Sequence, residues 1–75
     1  MQVGLTATQI LTVLQNKPRL SPVMIADETK LSPGTVRNVL VTLSELMLVK
    51  MPARGVYELS ELGADVLREN KEAKK

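Results

Sequence analysis

The sequence has no cysteine, no histidine, no tryptophan and no phenylalanine, and Tyr57 is its only aromatic residue. Without cysteine a disulfide framework is impossible. Without cysteine or histidine, so is a zinc site built on thiolate or imidazole. The commonest general base and the thiol nucleophile are missing with them. No glycine-rich phosphate loop or evident pair of carboxylates takes their place, so the chain is expected not to be an enzyme and to carry no cofactor. The lack of aromatic residues leaves the core to aliphatic side chains. No apolar run exceeds four residues, far short of the roughly 20 that a membrane-spanning helix needs. The opening "MQVGLTATQ" has no basic n-region and no apolar segment, so it does not read as a signal peptide. A cytoplasmic location with no membrane partner is the expectation, and the missing cysteines fit a reducing compartment.

With 75 residues, the chain is expected to form a single domain near the lower size limit for independent folding. It is 44% hydrophobic and 24% charged, the balance of a folded globular domain and not of a disordered chain. The domain is read as residues 1–67, followed by a charged tail, "RENKEAKK", over residues 68–75. The net charge of +2 is unevenly spread: residues 1–28 balance to zero, residues 29–57 carry +3 and residues 58–75 carry −1. The positive excess therefore lies in the middle of the chain.

Prolines and small polar residues punctuate that middle. A first helix is predicted from Thr6, where Thr6-x-x-Gln9 forms a capping-box pattern with Thr8 as the competing cap. Ala7, Ile10, Leu11 and Leu14 share one face, and Lys17-Pro18 ends the helix. After a short extended piece holding Leu20, Ser21-Pro22 opens a second helix, with serine as cap and proline in the first helical position. Ile25 and Ala26 face inward. Ser32-Pro33 repeats the device only about three residues after the second helix ends, the spacing of a helix-turn-helix. The third helix is predicted over about 32–47. Val36, Val39, Leu40, Leu43, Leu46 and Met47 fall within an arc of about 120°, with Gly34, Arg37, Asn38, Val41 and Glu45 opposite. "LVKM" and "VYEL" read as two β segments joined by a turn at Pro52-Ala53-Arg54-Gly55. Leu20 is placed to add a third strand. Ser60 then caps a last helix bearing Leu62, Val66 and Leu67. Ile10, Leu14, Ile25, Val36, Leu40, Leu43, Val49, Tyr57 and Leu59 are the expected core.

This order, with "IADETKLSPGTVRNVLVTLSELMLVK" and "GVYELSELG", resembles the winged helix-turn-helix domains of small bacterial and archaeal transcription regulators, the MarR-type group being the nearest comparison. The resemblance covers roughly residues 6–67. It implies an α+β fold, a three-helix core with a small antiparallel β-hairpin wing and a C-terminal helix. It makes "IADETKLSPGTVRNVL" the second helix, turn and recognition helix, and Arg54-Gly55 the wing tip. "YELSELG" is similar to the family's Tyr-x-Leu-Thr-x-x-Gly run, with Ser60 in place of threonine. Longer members of that group carry extra helices for dimerisation or effector binding, for which this chain has almost no room. No small-molecule effector is expected.

The partner so implied is double-stranded DNA. The N-terminal residues of a recognition helix approach base edges in the major groove. Ser32, Gly34 and Thr35 keep that first turn bare, and Gly34 does so at a cost of roughly 1 kcal/mol of helix propensity. Arg37 can bond guanine O6 and N7, and Asn38 can bond adenine N6 and N7; Val41 can touch a thymine methyl. Arg37 on a phosphate and Asn38 simply in solvent are the alternatives. Lys30, Lys50 and Arg54 are candidate phosphate contacts, with Arg54 in the wing, about residues 52–55, reaching for the minor groove. Lys17 and Arg19 are further phosphate candidates. The competing reading is a winged helix used for protein contact in a transcription assembly; the absence of an acid among Arg37, Asn38 and Arg54 favours DNA. A left-handed duplex would call for an aromatic residue where Val41 stands. Met1, Val3, Leu5, Leu11 and Val13, together with the last helix, offer apolar surface for a homodimer built from the N-terminal segment, the first helix and the last helix.

Overall fold

The computed structural model describes residues 4–17 and 19–72, with backbone alone for residues 70–72. The elements are α1 (Leu5–Asn16), α2 (Pro22–Thr29), α3 (Pro33–Glu45), β1 (Val49–Ala53), β2 (Val56–Leu59) and α4 (Glu61–Glu72). α4 thus extends past residue 67, where the charged tail was expected to begin. Among the described residues no helix is long and apolar enough to cross a membrane.

The two Ser-Pro starts behave as read. Ser21 Oγ accepts the Met24 N–H at 3.4 Å, Ser32 Oγ accepts the Thr35 N–H at 3.2 Å, and Pro22 and Pro33 stand in the first turns. The start of α1 differs. Its cap is Gly4, with no side-chain bond, so neither Thr6 nor Thr8 caps. Both threonines lie inside the helix, and the Thr8 hydroxyl donates back to the Gly4 carbonyl at 3.0 Å, the bond a hydroxyl makes within a helix. The role given to Pro18 lies outside the described residues, as do Met1 and Val3.

α3 also ends earlier than its apolar period suggests. Leu46 is the C-cap and Met47 takes φ 64, the left-handed conformation. The Met47 N–H reaches the Ser44 carbonyl at 3.0 Å and the Leu48 N–H reaches the Leu43 carbonyl at 2.9 Å. These are the paired bonds of a Schellman cap, with Leu48 packed into the core as its hydrophobic closure. The turn throws Leu46 and Met47 outward, so both are exposed where the helical period placed them inside; Met47 is 71% accessible. A methionine so exposed has little packing to lose and carries a conformational cost that glycine avoids. Met47→Gly should raise stability by roughly 0.5–1 kcal/mol. Urea unfolding checks this: a lower midpoint would show that the side chain matters more than the backbone strain.

β1 and β2 pair antiparallel with Val49 opposite Leu59, Lys50 opposite Glu58 and Ala53 opposite Val56. Met51 and Pro52 therefore share one partner, Tyr57, in a bulge. Proline cannot donate to the ladder and is tolerated at such a place. The turn is only Arg54-Gly55, with Gly55 at φ 76; Pro52 and Ala53, expected in the turn, belong to β1. Leu20 pairs with Tyr57 on the other side of β2, by bonds of 3.1 and 2.8 Å, as an isolated bridge and not the full third strand that was expected.

α1 packs against α2, α3, β2 and α4. A helix with neighbours on so many sides buries more than one stripe, which is why Leu11 is 0% exposed instead of offering surface. Val13 likewise packs against the core. Ile10, Leu14, Ile25, Val36, Leu40, Leu43 and Val49 are buried as expected, and Tyr57 and Leu59 pack on them half-buried. Ser60 ties the second half together: its hydroxyl accepts the Gly63 N–H at 2.9 Å and donates to the Met47 carbonyl at 2.7 Å, while its own N–H reaches the Leu48 carbonyl at 3.1 Å.

Candidate nucleic-acid interface

α3 presents two faces because its apolar positions repeat with the helical period. Val36, Leu40 and Leu43 are buried against the core. At 100° per residue, Gly34, Arg37, Asn38, Val41 and Glu45 fall within about 100° on the other side. All of these are exposed, and Val41 is 56% accessible although it is aliphatic.

The first turn of α3 has few donors left over. Pro33 has no N–H, Ser32 Oγ takes the Thr35 N–H, and the Ser32 carbonyl takes the Val36 N–H at 3.0 Å. The Gly34 N–H remains open. A Cβ at Gly34 would meet nothing within 4 Å, so nothing inside the domain demands glycine; its effect is to bare the backbone to whatever lies outside. Ser32 Oγ and Thr35 Oγ1 are 2.9 Å apart and share one hydrogen bond. One hydroxyl hydrogen of the pair is therefore left for an external acceptor. The same turn points the positive end of the helix dipole outward.

The cations sit around this face. Lys30 closes α2 at φ 65, its N–H bonded to the Ala26 carbonyl at 2.8 Å, so the turn between α2 and α3 carries a lysine in a conformation that favours glycine. Lys50 is exposed on β1 and Arg54 at the hairpin tip. Among the described residues, neither Arg37, Lys30, Lys50 nor Arg54 has an ion-pair partner. The ion pairs found there are Lys17–Glu28 and Arg68–Asp65. Lys17 is thereby drawn onto α2.

A family model described as winged helix-turn-helix DNA-binding matches residues 5–40. No curated protein matches the chain in sequence. Among solved structures, the reduced form of MarR from E. coli superposes with a TM-score of 0.88 at 14% identity, covering 96% of this chain and 54% of that one. ZitR from Lactococcus lactis, as a cysteine-to-serine mutant in complex with DNA, gives 0.79 at 27%, covering 95% and 52%. The PhiH1 repressor-like protein from Haloarcula marismortui gives 0.79 at 26%, covering 88% and 77%. The chain has a winged helix-turn-helix fold like that of MarR. It spans about half the length of MarR and ZitR.

In this winged helix, α2 and α3 are the helix-turn-helix and β1–β2 is the wing. Ser32, Gly34, Thr35, Arg37, Asn38 and Val41 come together on one exposed surface of α3, with Lys30 in the turn before it. Lys50 and Arg54 stand on the wing, at its base and its tip. Sequence reasoning missed two features of the site. The strained backbone of Lys30 has no signal in its residue type. The Met51-Pro52 bulge, which adds twist to β1 before the tip, had one available signal: a proline inside a β-prone run.

Proposed function

We infer that this winged helix-turn-helix binds double-stranded DNA as a transcription regulator, with α3 in the major groove and the wing on the flanking minor groove or phosphates. The observation that carries this reading is the outer face of α3. Arg37 and Asn38 are exposed beside a bare first turn, and neither the arginine nor the cations around it has an ion-pair partner among the described residues. In this reading Arg37, Asn38 and Val41 meet base edges. Ser32, Gly34 and Thr35 allow the close approach, and Lys30, Lys50 and Arg54 hold phosphates. ZitR, 27% identical, was solved in complex with DNA. The reading is non-catalytic and places the protein in the cytoplasm, where its partner is.

One recognition helix buries too little surface for tight specific binding. A two-fold homodimer would place two of them about 34–36 Å apart on a palindromic site. With Leu11 buried, Leu5 and Leu62 are the exposed apolar residues near the helices that such a dimer would use.

A labelled duplex titrated at about 50 and 200 mM salt tests the reading. With about four to six phosphate contacts per protomer, affinity should fall on the order of 10²–10³-fold per protomer between them. Sedimentation of the complex should show two chains per site. Arg54→Ala should weaken binding and lower the salt slope by about one unit. Absence of binding at the lower salt would sink the function, and an unchanged slope for Arg54→Ala would remove the wing tip from the contact.

A further inference from the structure

β2 has a neighbour on each side, β1 on one and the Leu20 bridge on the other. Lys50 stands opposite Glu58. Leu20 meets Tyr57 in an isolated antiparallel bridge, which brings Arg19, the residue before it, to the edge of β2 beside Glu58 and away from β1. Leu20 and Val49 are buried, and Tyr57 and Leu59 pack on the core. Side chains alternate along a strand, which puts Arg19, Glu58 and Lys50 in a row across the outer face. Neighbouring strands lie about 4.8 Å apart, so the two cations are carried on backbones roughly 10 Å apart with the carboxylate midway. Both cations are exposed, and Glu58 is half-buried. Among the described residues neither cation pairs with Glu58 within the 4.0 Å of an ion pair.

We propose that Arg19 and Lys50 form a phosphate-binding strip across the sheet, with Glu58 between them as its counter-charge. The proposal rests on the duplex-binding reading and extends it beyond the groove. Arg19 lies two residues before Ser21, the cap of α2. In a helix-turn-helix the first helix crosses the DNA backbone, so the segment that feeds α2 is delivered to the phosphates. Lys17, the other base of that segment, is held by Glu28 and is not available in the same way. Cross-strand opposite charges attract, so Glu58 keeps both cations on the sheet surface and competes with phosphate for them. It is a positioning residue that weakens the grip it organises.

The test compares Arg19→Ala, Lys17→Ala, Glu58→Gln and the double variant Arg19→Ala/Glu58→Gln with the wild-type chain, each titrated with the same duplex at several salt concentrations. Arg19→Ala should lower the salt slope by about one unit, and Lys17→Ala should leave it unchanged. Glu58→Gln should tighten binding, by up to about fivefold, because it removes one negative charge lying between the two cations that a phosphate must approach. The double variant should lose much of that gain, a coupling that a merely structural role for Glu58 would not produce. If the wild-type chain binds but Arg19→Ala matches Lys17→Ala, the strip is wrong and the duplex reading stands. The strip is also wrong if Glu58→Gln weakens binding or gains equally with and without Arg19. If the wild-type chain binds no duplex at all, both fall together.

Discussion

Gly63→Ala should destabilise the domain more than any other single change considered for its core. A Cβ at this position would lie 2.0 Å from the Leu48 carbonyl oxygen and 2.8 Å from Leu59 Cδ1. The first of these is backbone and cannot rotate aside. It is also committed, since the Leu48 carbonyl accepts the Ser60 N–H at 3.1 Å and Leu48 itself is fully buried. Relief must come from moving α4 off the α3–β1 corner, which would stretch the Ser60 bonds to Gly63 and Met47 and open the core around Val66 and Leu67. Overpacking commonly costs 1–3 kcal/mol, and a backbone clash of this depth lies at the upper end, about 3 kcal/mol. A domain of this size has roughly 4–11 kcal/mol in all, so the thermal midpoint should fall by on the order of 15 °C. Calorimetry or circular dichroism measures it. A shift of only a degree or two would mean that α4 sits differently against Leu48.

Arg37→Ala should leave the fold alone and remove the sequence preference. Arg37 is exposed on α3 and has no ion-pair partner among the described residues, so truncating it leaves no charge among them unpaired. If its guanidinium meets a guanine edge, its loss should cost roughly 1–3 kcal/mol on the chosen site, about fivefold to 150-fold in affinity. The measurement is fluorescence anisotropy on a duplex selected from a random pool, beside a scrambled duplex of equal length, with thermal unfolding as the control. Loss on the selected duplex alone makes Arg37 a reader. Equal loss on both makes it a phosphate contact, and no loss removes it from the interface.

Much of the architecture was legible because its signals are local. Ser21-Pro22 and Ser32-Pro33 carry cap and first turn in adjacent residues, and the period of α3 needs only one buried side to show itself. The misreadings came where the deciding neighbour is distant in sequence. Leu11 looks like surplus apolar surface until α4 arrives to cover a second flank of α1. Leu46 and Met47 continue the apolar period, but Ser60 and Leu48 reward a turn at that point by bonding and burial, and the chain leaves the helix. Thr6 and Thr8 fit a cap pattern, yet Gly4 starts the helix before either can act. The outer residues of α3 were visible as types, since Arg37, Asn38 and Val41 stand opposite a buried stripe. What could not be seen was the register across three segments that lines up Arg19, Glu58 and Lys50.

The bridge between Leu20 and Tyr57 joins the ends of a loop of 36 intervening residues. Bringing the ends of such a loop together costs about 3 kcal/mol of chain entropy before any constant term. Its two hydrogen bonds, at about 1 kcal/mol each, do not offset that. The burial of Leu20, worth roughly 1.5–3 kcal/mol, makes up the difference. Inside the circuit lie α2, α3, β1 and the hairpin tip, which together make up nearly all of the proposed reading surface. The recognition helix and the wing therefore cannot drift apart as two tethered pieces: a change in their relative orientation must first open the knot of apolar contacts around Leu20. Their spacing is set in the free chain, and a duplex meets a surface already drawn to one gauge.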